Sequence, residues 1–138
     1  MSLKARQNFS YSAPLKERAG YSSTIRIGDS VSVSGTMATT PEGVVEAESD
    51  VYHQTEIILQ KIEQVLTRVD TKLSKVYRVW TYVTDISQAK EYMKVYSKYF
   101  KIIKPVVTMA EVSALARLVH LVEVKAEAIV RSYLVHKQ

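Results

Sequence analysis

The sequence predicts an α+β domain, one sheet with two helices against one of its faces, in the order ββαβαββ. Three patterns carry that prediction. Ser30-Val31-Ser32-Val33-Ser34 alternates strictly, and so does the stretch Val122, Val124, Ala126, Ala128, with Glu123, Lys125 and Glu127 between; a period of two marks half-buried strands. Val51, Thr55, Ile58, Ile62, Val65 or Leu66, and Val69 recur at three- and four-residue steps, the period of a helical stripe. Ala89, Tyr92, Met93, Tyr96 and Phe100 form a second stripe of that kind.

The first twenty residues mix Ser, Gln, Asn, Pro14 and charges, with only Phe9 and Tyr11 as anchors, and read as a loosely docked arm. A hairpin follows from Tyr21 to Gly35: Tyr21 to Ile27 is its first strand, Gly28-Asp29 its tight turn, and the serine-valine alternation its second strand, with Val31 and Val33 facing the core. Gly35 ends that strand, and Thr39, Thr40, Pro41, Glu42 and Gly43 make a small polar loop. Ser49 or Asp50 caps the first helix, which runs to about Val69 with Glu56, Lys61, Glu63 and Arg68 on its wet side. Lys75 to Thr84 is β-branched and aromatic throughout, so it reads as a long strand with both faces at least partly covered. Asp85 or Ser87 caps the second helix, and Pro105 closes it off. Strands at Val106 to Val112 and about Leu118 to Arg131 complete the order. The domain therefore covers residues 21–131, between an arm of 1–20 and a tail of 132–138. Its second sheet face also carries apolar residues that a chain of this size cannot bury alone, which predicts an oligomer.

Composition narrows the function classes. With 138 residues, 46% hydrophobic and 24% charged, the chain fits one domain and excludes a multidomain enzyme. Lys and Arg number 19 against 14 Asp and Glu, a net charge of +5 that favours acidic partners; the basic residues are scattered rather than gathered in a tail. No apolar run approaches the roughly 18 residues a bilayer span needs, and Met1-Ser2-Leu3-Lys4-Ala5-Arg6 lacks an apolar signal core, so the expected compartment is the cytosol. The absence of cysteine removes disulfides, thiolate zinc sites and a cysteine nucleophile together.

Candidate chemistry is sparse. His53 has Asp50 and Glu56 three residues to either side on a helix, a spacing that suits a hard metal but falls short of its ligand count, so a surface polar cluster is the expectation. His120 stands at a strand start without a second His nearby and reads as structural or exposed; His136 lies in the tail. Ser34-Gly35 lacks the Gly-x-Ser-x-Gly elbow, and Gly20, Gly28, Gly35 and Gly43 are too dispersed to cradle a phosphate. Tyr77, Trp80, Tyr82, Tyr92, Tyr96 and Tyr99 among lysines suggest base stacking, yet their spacings serve a core or a subunit interface as well, and packing is favoured over nucleic acid.

One ordered set of residues goes further. Gly20-Tyr21, Val33-Ser34-Gly35, Gln54, Tyr82-Val83-Thr84-Asp85, the block from Lys104-Pro105 through Glu111-Val112-Ser113-Ala114-Leu115, and Leu121-Val122-Glu123-Val124 stand in the order of one family. Over about residues 20–130 the chain resembles the YjgF/RidA family. The resemblance implies a chorismate-mutase-like fold, a homotrimer whose sheets form a central barrel, and ligand clefts between subunits that need no metal or organic cofactor. Its best understood members hydrolyse reactive enamines and imines such as 2-aminoacrylate; others carry endoribonuclease or translation-inhibitor labels. The implied ligand-binding residues are Tyr21, Gly35, Val107, Met109 and Lys125. In the deaminating members an Arg two residues after the Pro clamps the substrate carboxylate and a Glu on the last strand helps place water; the matching positions here are Val107 and, by this reading, Lys125. The expectation is an inter-subunit cleft for small carboxylate metabolites, with either a diverged hydrolase activity or binding alone, and RNA cleavage as the lesser alternative. Lys125 itself has a plainer reading, a solvated lysine paired with Glu123 or Glu127.

Overall fold

The structure, a computed structural model, describes residues 2–10 and 19–135. Tyr11, Pro14 and His136 lie outside the described residues. The strands are β1 (Arg6–Phe9), β2 (Thr24–Ile27), β3 (Ser30–Thr36), β4 (Val76–Val83), β5 (Val106–Glu111) and β6 (Val122–Ile129); the helices are α1 (Val51–Arg68) and α2 (Ala89–Phe100). They form one six-stranded sheet in the order β1-β2-β3-β6-β4-β5. β4 and β5 pair in parallel through the α2 crossover, and β1/β2, β2/β3, β3/β6 and β4/β6 pair antiparallel.

Elements with a strong period stand where the sequence puts them. Asp50 caps α1 by accepting from the His53 backbone N–H at 3.0 Å, and the helix ends at the Val69 cap. Gly28 makes the β2–β3 turn at φ 58°, where L side chains are disfavoured. Val31 and Val33 are buried. Together with Val79, Val83, Val122, Val124, Ala126 and Ala128 they form the sheet's half of the core, closed by Ile58, Leu59, Ile62 and Leu66 of α1 and Tyr92, Val95 and Phe100 of α2. Both helices therefore cover one sheet face and leave the other open.

Four expectations change. Residues 6–9, read as part of a loose arm, add an edge strand to β2, with Arg6 opposite Ile27 and Phe9 opposite Thr24. Its exposed Arg6, Gln7 and Asn8 are held through backbone pairing, so no apolar alternation announces it, and the order becomes βββαβαββ. In α2, which starts at Ala89 after a 3₁₀ turn at Ile86–Gln88 capped by Asp85, the buried stripe is Tyr92, Val95, Tyr96 and Phe100, a helical face that turns Met93 outward. β4 buries only one face within the chain: Val76, Val79, Thr81 and Val83 point inward, while Tyr77 and Arg78 are exposed. The last strand starts at Val122, and Leu118 sits in a solvent-exposed loop.

Candidate functional site

Cross-strand partners share a face, so the register assigns every side chain of the open face. Lys125 pairs with Trp80 and Glu123 with Tyr82, opposite the buried Val79, Thr81 and Val124. Ser32 pairs with Glu127. The open face thus carries Glu123, Lys125 and Glu127 at alternate β6 positions, about 6.6 Å apart along the strand, with Trp80 and the β3 serines beside them.

Between β3 and β6 the register shifts, from Val33 opposite Ala126 to Thr36 opposite Val124, which leaves Ser34 and Gly35 in a bulge. The bulge re-aims β3 onto the Glu123 side chain. A Cβ on Gly35 would lie 2.8 Å from the Glu123 carboxyl carbon, so it is the glycine that leaves room for this carboxyl against the β3 backbone. Burial raises the Glu123 carboxyl above the ordinary carboxylate range, and the charge on Lys125 offsets part of that rise. A half-buried carboxyl held against a bare backbone is suited to handling a proton or a water.

This acid was not among the site residues read from the sequence, which placed the family's last-strand Glu at Lys125. The Leu-Val-Glu-Val signature contained it. Choosing between Glu123 and the position two residues on requires the register across the bulge, and hydrophobic alternation does not record a bulge.

Lys125 occupies the next rung. Its ammonium lies 4.3 Å from the centre of the Trp80 ring, and the Arg78 guanidinium lies 5.3 Å from the same ring. Among the described residues Lys125 has no carboxylate within ion-pairing distance, so its pairing with Glu123 or Glu127 is not formed. Ser22, Ile25, Ser32, Ser34, Trp80, Lys125 and Glu127 line a cleft of about 230 Å³ on this face. Ser34 ties its rim together, its hydroxyl donating to the Ser22 carbonyl at 2.6 Å and its N–H to the Ser23 carbonyl at 2.9 Å. Tyr21, next to Ser22, is exposed at that rim.

Val107 and Met109 lie elsewhere. Val107 pairs with Val79 and Met109 with Thr81, which puts both on the helix-covered face of β5, the sheet's outer edge. Met109 packs against the core while Val107 is 57% exposed. β3 and β5 are separated by two strands, about 14 Å at ordinary strand spacing. A single chain brings Tyr21, Gly35, Glu123 and Lys125 to one region and leaves Val107 and Met109 at another.

Behind the open face, polar contacts fix the loops that frame β6. The buried Gln54 donates to the Val119 carbonyl at 2.9 Å and to the Glu46 carbonyl at 3.3 Å, and its Oε1 accepts from the Leu121 N–H at 2.9 Å. His120 is buried: Nδ1 accepts from the Arg117 N–H at 3.2 Å, which leaves Nε2 to donate to the Thr39 hydroxyl at 2.7 Å. Lys61, read as solvated, donates to the Met37 and Thr39 carbonyls at 2.7 and 2.8 Å. At the N-terminus of α1, His53 Nδ1 lies 2.5 Å from the Asp50 carboxylate, so that cluster caps a helix. Among the described residues no three His, Cys, Asp or Glu side chains are placed to hold a metal ion, and no helix is long and apolar enough to cross a membrane.

An α+β sheet protein with one open, charged face is the class these observations define. The chain belongs to the YjgF/Rid family, whose model, described as Endoribonuclease L-PSP, matches residues 11–130. A RutC family protein of Pyrococcus abyssi is 32% identical over 120 residues, covering 87% of this chain and 93% of that protein. A member of the YjgF/YER057c/UK114 family from Mycobacterium tuberculosis superposes with a TM-score of 0.82 at 36% identity, over 91% of this chain and 100% of that one. A conserved Rid family protein of unknown function from Yersinia pestis gives 0.81 at 29%, over 91% and 100%.

Proposed function

We propose that this chain acts in the cytoplasm as a homotrimer, its sheets around a central barrel, with clefts between subunits that bind small carboxylate metabolites and hydrolyse an imine or enamine group. The observation that carries the reading is the Glu123 carboxyl held against Gly35, one rung from an ammonium that has no ion pair among the described residues. Lys125 takes the substrate carboxylate as a point donor, a task that does not need the fork geometry of arginine. Glu123 takes a proton from water as its oxygen adds to the C=N carbon and passes it to the nitrogen; as the carbinolamine collapses, Glu123 carries the hydroxyl proton to the departing nitrogen in the same way. Imine and water become a carbonyl and ammonia. The site separation within one chain supports the trimer: Val107 and Met109 can wall a cleft that holds Gly35 and Glu123 only if they come from a neighbouring subunit.

Val107 sets the limit on this activity. A guanidinium in its place would give a carboxylate two charge-assisted bonds, and losing about 3 kcal/mol in the transition state costs more than a hundredfold in rate. Slow turnover of 2-aminoacrylate is therefore expected. Binding without turnover is the second reading, favoured by that same valine. The family description and a Thermotoga maritima neighbour titled a putative endoribonuclease raise RNA cleavage as a third. Two carboxyls, Glu123 and Glu127, on either side of one ammonium suit a small ligand better than a polyanion. No cofactor enters the reading.

Ammonia release from 2-iminobutanoate tests it, on wild type, Glu123→Gln, Lys125→Ala and Val107→Arg. Glu123→Gln is expected to lower kcat by at least about a hundredfold, Lys125→Ala to raise KM, and Val107→Arg to raise the rate. Wild-type activity at background while carboxylates still bind would leave the binding reading in its place.

A further inference from the structure

Resting on the reading above, we infer that the ligand of this cleft is zwitterionic, a 2-imino or 2-oxo acid whose side chain ends in an ammonium or guanidinium group. The cleft of about 230 Å³ presents one ion of each sign, Lys125 and Glu127. Among the described residues neither closes an ion pair. Lys125 has the Trp80 ring for its partner. Glu127 is held by two neutral hydroxyls, Tyr77 at 3.2 Å and Ser32 at 3.5 Å, and among the described residues it has no cation within ion-pairing distance.

The nearest competitor is Arg78, its cross-strand partner. That guanidinium is stacked instead on the rings of Tyr77 and Trp80, 5.6 and 5.3 Å from their centres. Two opposite charges on neighbouring rungs that do not close on each other are complementary to a ligand carrying both. A ligand with a carboxylate alone would leave the Glu127 charge facing its tail, an unfavourable approach for an apolar or acidic side chain.

The wall between the ions fits the same chemistry. Trp80 and Ile25 supply apolar surface for an alkyl stem, and the Ser32 and Ser34 hydroxyls flank it. The two charged rungs then read in sequence, Lys125 at the carboxylate and Glu127 at the cationic tip. Successive rungs are about 6.6 Å apart, a span that a bound group with two hydrogen bonds covers. An alkyl side chain of three or four carbons ending in nitrogen reaches from one to the next.

Calorimetric titration of the intact protein with 5-guanidino-2-oxopentanoate and with 2-oxohexanoate separates the possibilities. The guanidino acid is expected to bind about ten- to a hundredfold more tightly, the gain of one charge-assisted contact. Glu127→Gln should remove most of that preference, weakening the guanidino acid and binding 2-oxohexanoate at least as tightly as the wild type does, while Lys125→Ala should weaken both acids. Equal affinities in the wild type, or a preference that survives Glu127→Gln, would overturn the zwitterion assignment and leave the carboxylate cleft standing. Absence of binding by either acid would overturn both.

Discussion

The contact between Gly35 and Glu123 shows what one missing Cβ does. Gly35→Ala would place a carbon 2.8 Å from the far end of a flexible side chain, so Glu123 can swing away at little cost to the fold. The expected result is a stability change within about 1 kcal/mol by denaturant titration, with ammonia release from 2-iminobutanoate down at least tenfold. A variant as active as the wild type would mean that the acid works from elsewhere. The sequence made Gly35 and Lys125 legible through the family's order of residues, and an ion pair between Lys125 and its acidic neighbours was the plainer alternative. The bulge at Ser34-Gly35 decides which acid meets the glycine, and bulges arise from backbone pairing that no side-chain pattern records.

Among elements, α1 was the most legible because it carries both a side-chain cap and a periodic buried stripe, whereas Asp85 caps the 3₁₀ turn before α2 and not α2 itself. α1 begins after Asp50 and ends at Val69 as its pattern required. The edge strand β1 was illegible for the opposite reason, since its exposed polar residues are held by main-chain bonds alone. The loop before β6 depends on His120, whose Nδ1 must stay unprotonated to accept from the Arg117 N–H. Burial, then Arg117 and Lys61, lower its pKa below the ordinary value of 6.5. A lowered folded pKa means the unfolded chain binds the proton more readily, so the contribution is complete above pH 6.5 and is lost as pH falls from there toward the folded value. Stability measured by urea titration should therefore decline below about pH 6.5 more steeply in the wild type than in His120→Asn. Parallel profiles would show that this latch does not titrate.

At the scale of the whole molecule the two sheet faces divide the labour. One buries valines and alanines against α1 and α2, and the other displays Tyr77, Trp80, Tyr82 and three β6 charges. The apolar surplus on the second face was readable from alternation, and it motivated the oligomer before any family likeness. What could not be read was that Val107 and Met109 sit on the opposite face from Lys125, because strand order and the parallel β4–β5 pairing come from the crossover and not from local pattern. The proposed trimer follows from that separation. Trp80 is the single tryptophan and forms the cleft wall under Lys125, so its emission reports on the site directly. The decisive measurement is a titration of Trp80 fluorescence with 2-oxobutyrate, on the fraction whose light-scattering mass is about three times the 15.6 kDa chain. The account predicts a saturable change in that fraction that disappears in Lys125→Ala; a monomeric mass, or a response identical in the variant, would contradict it.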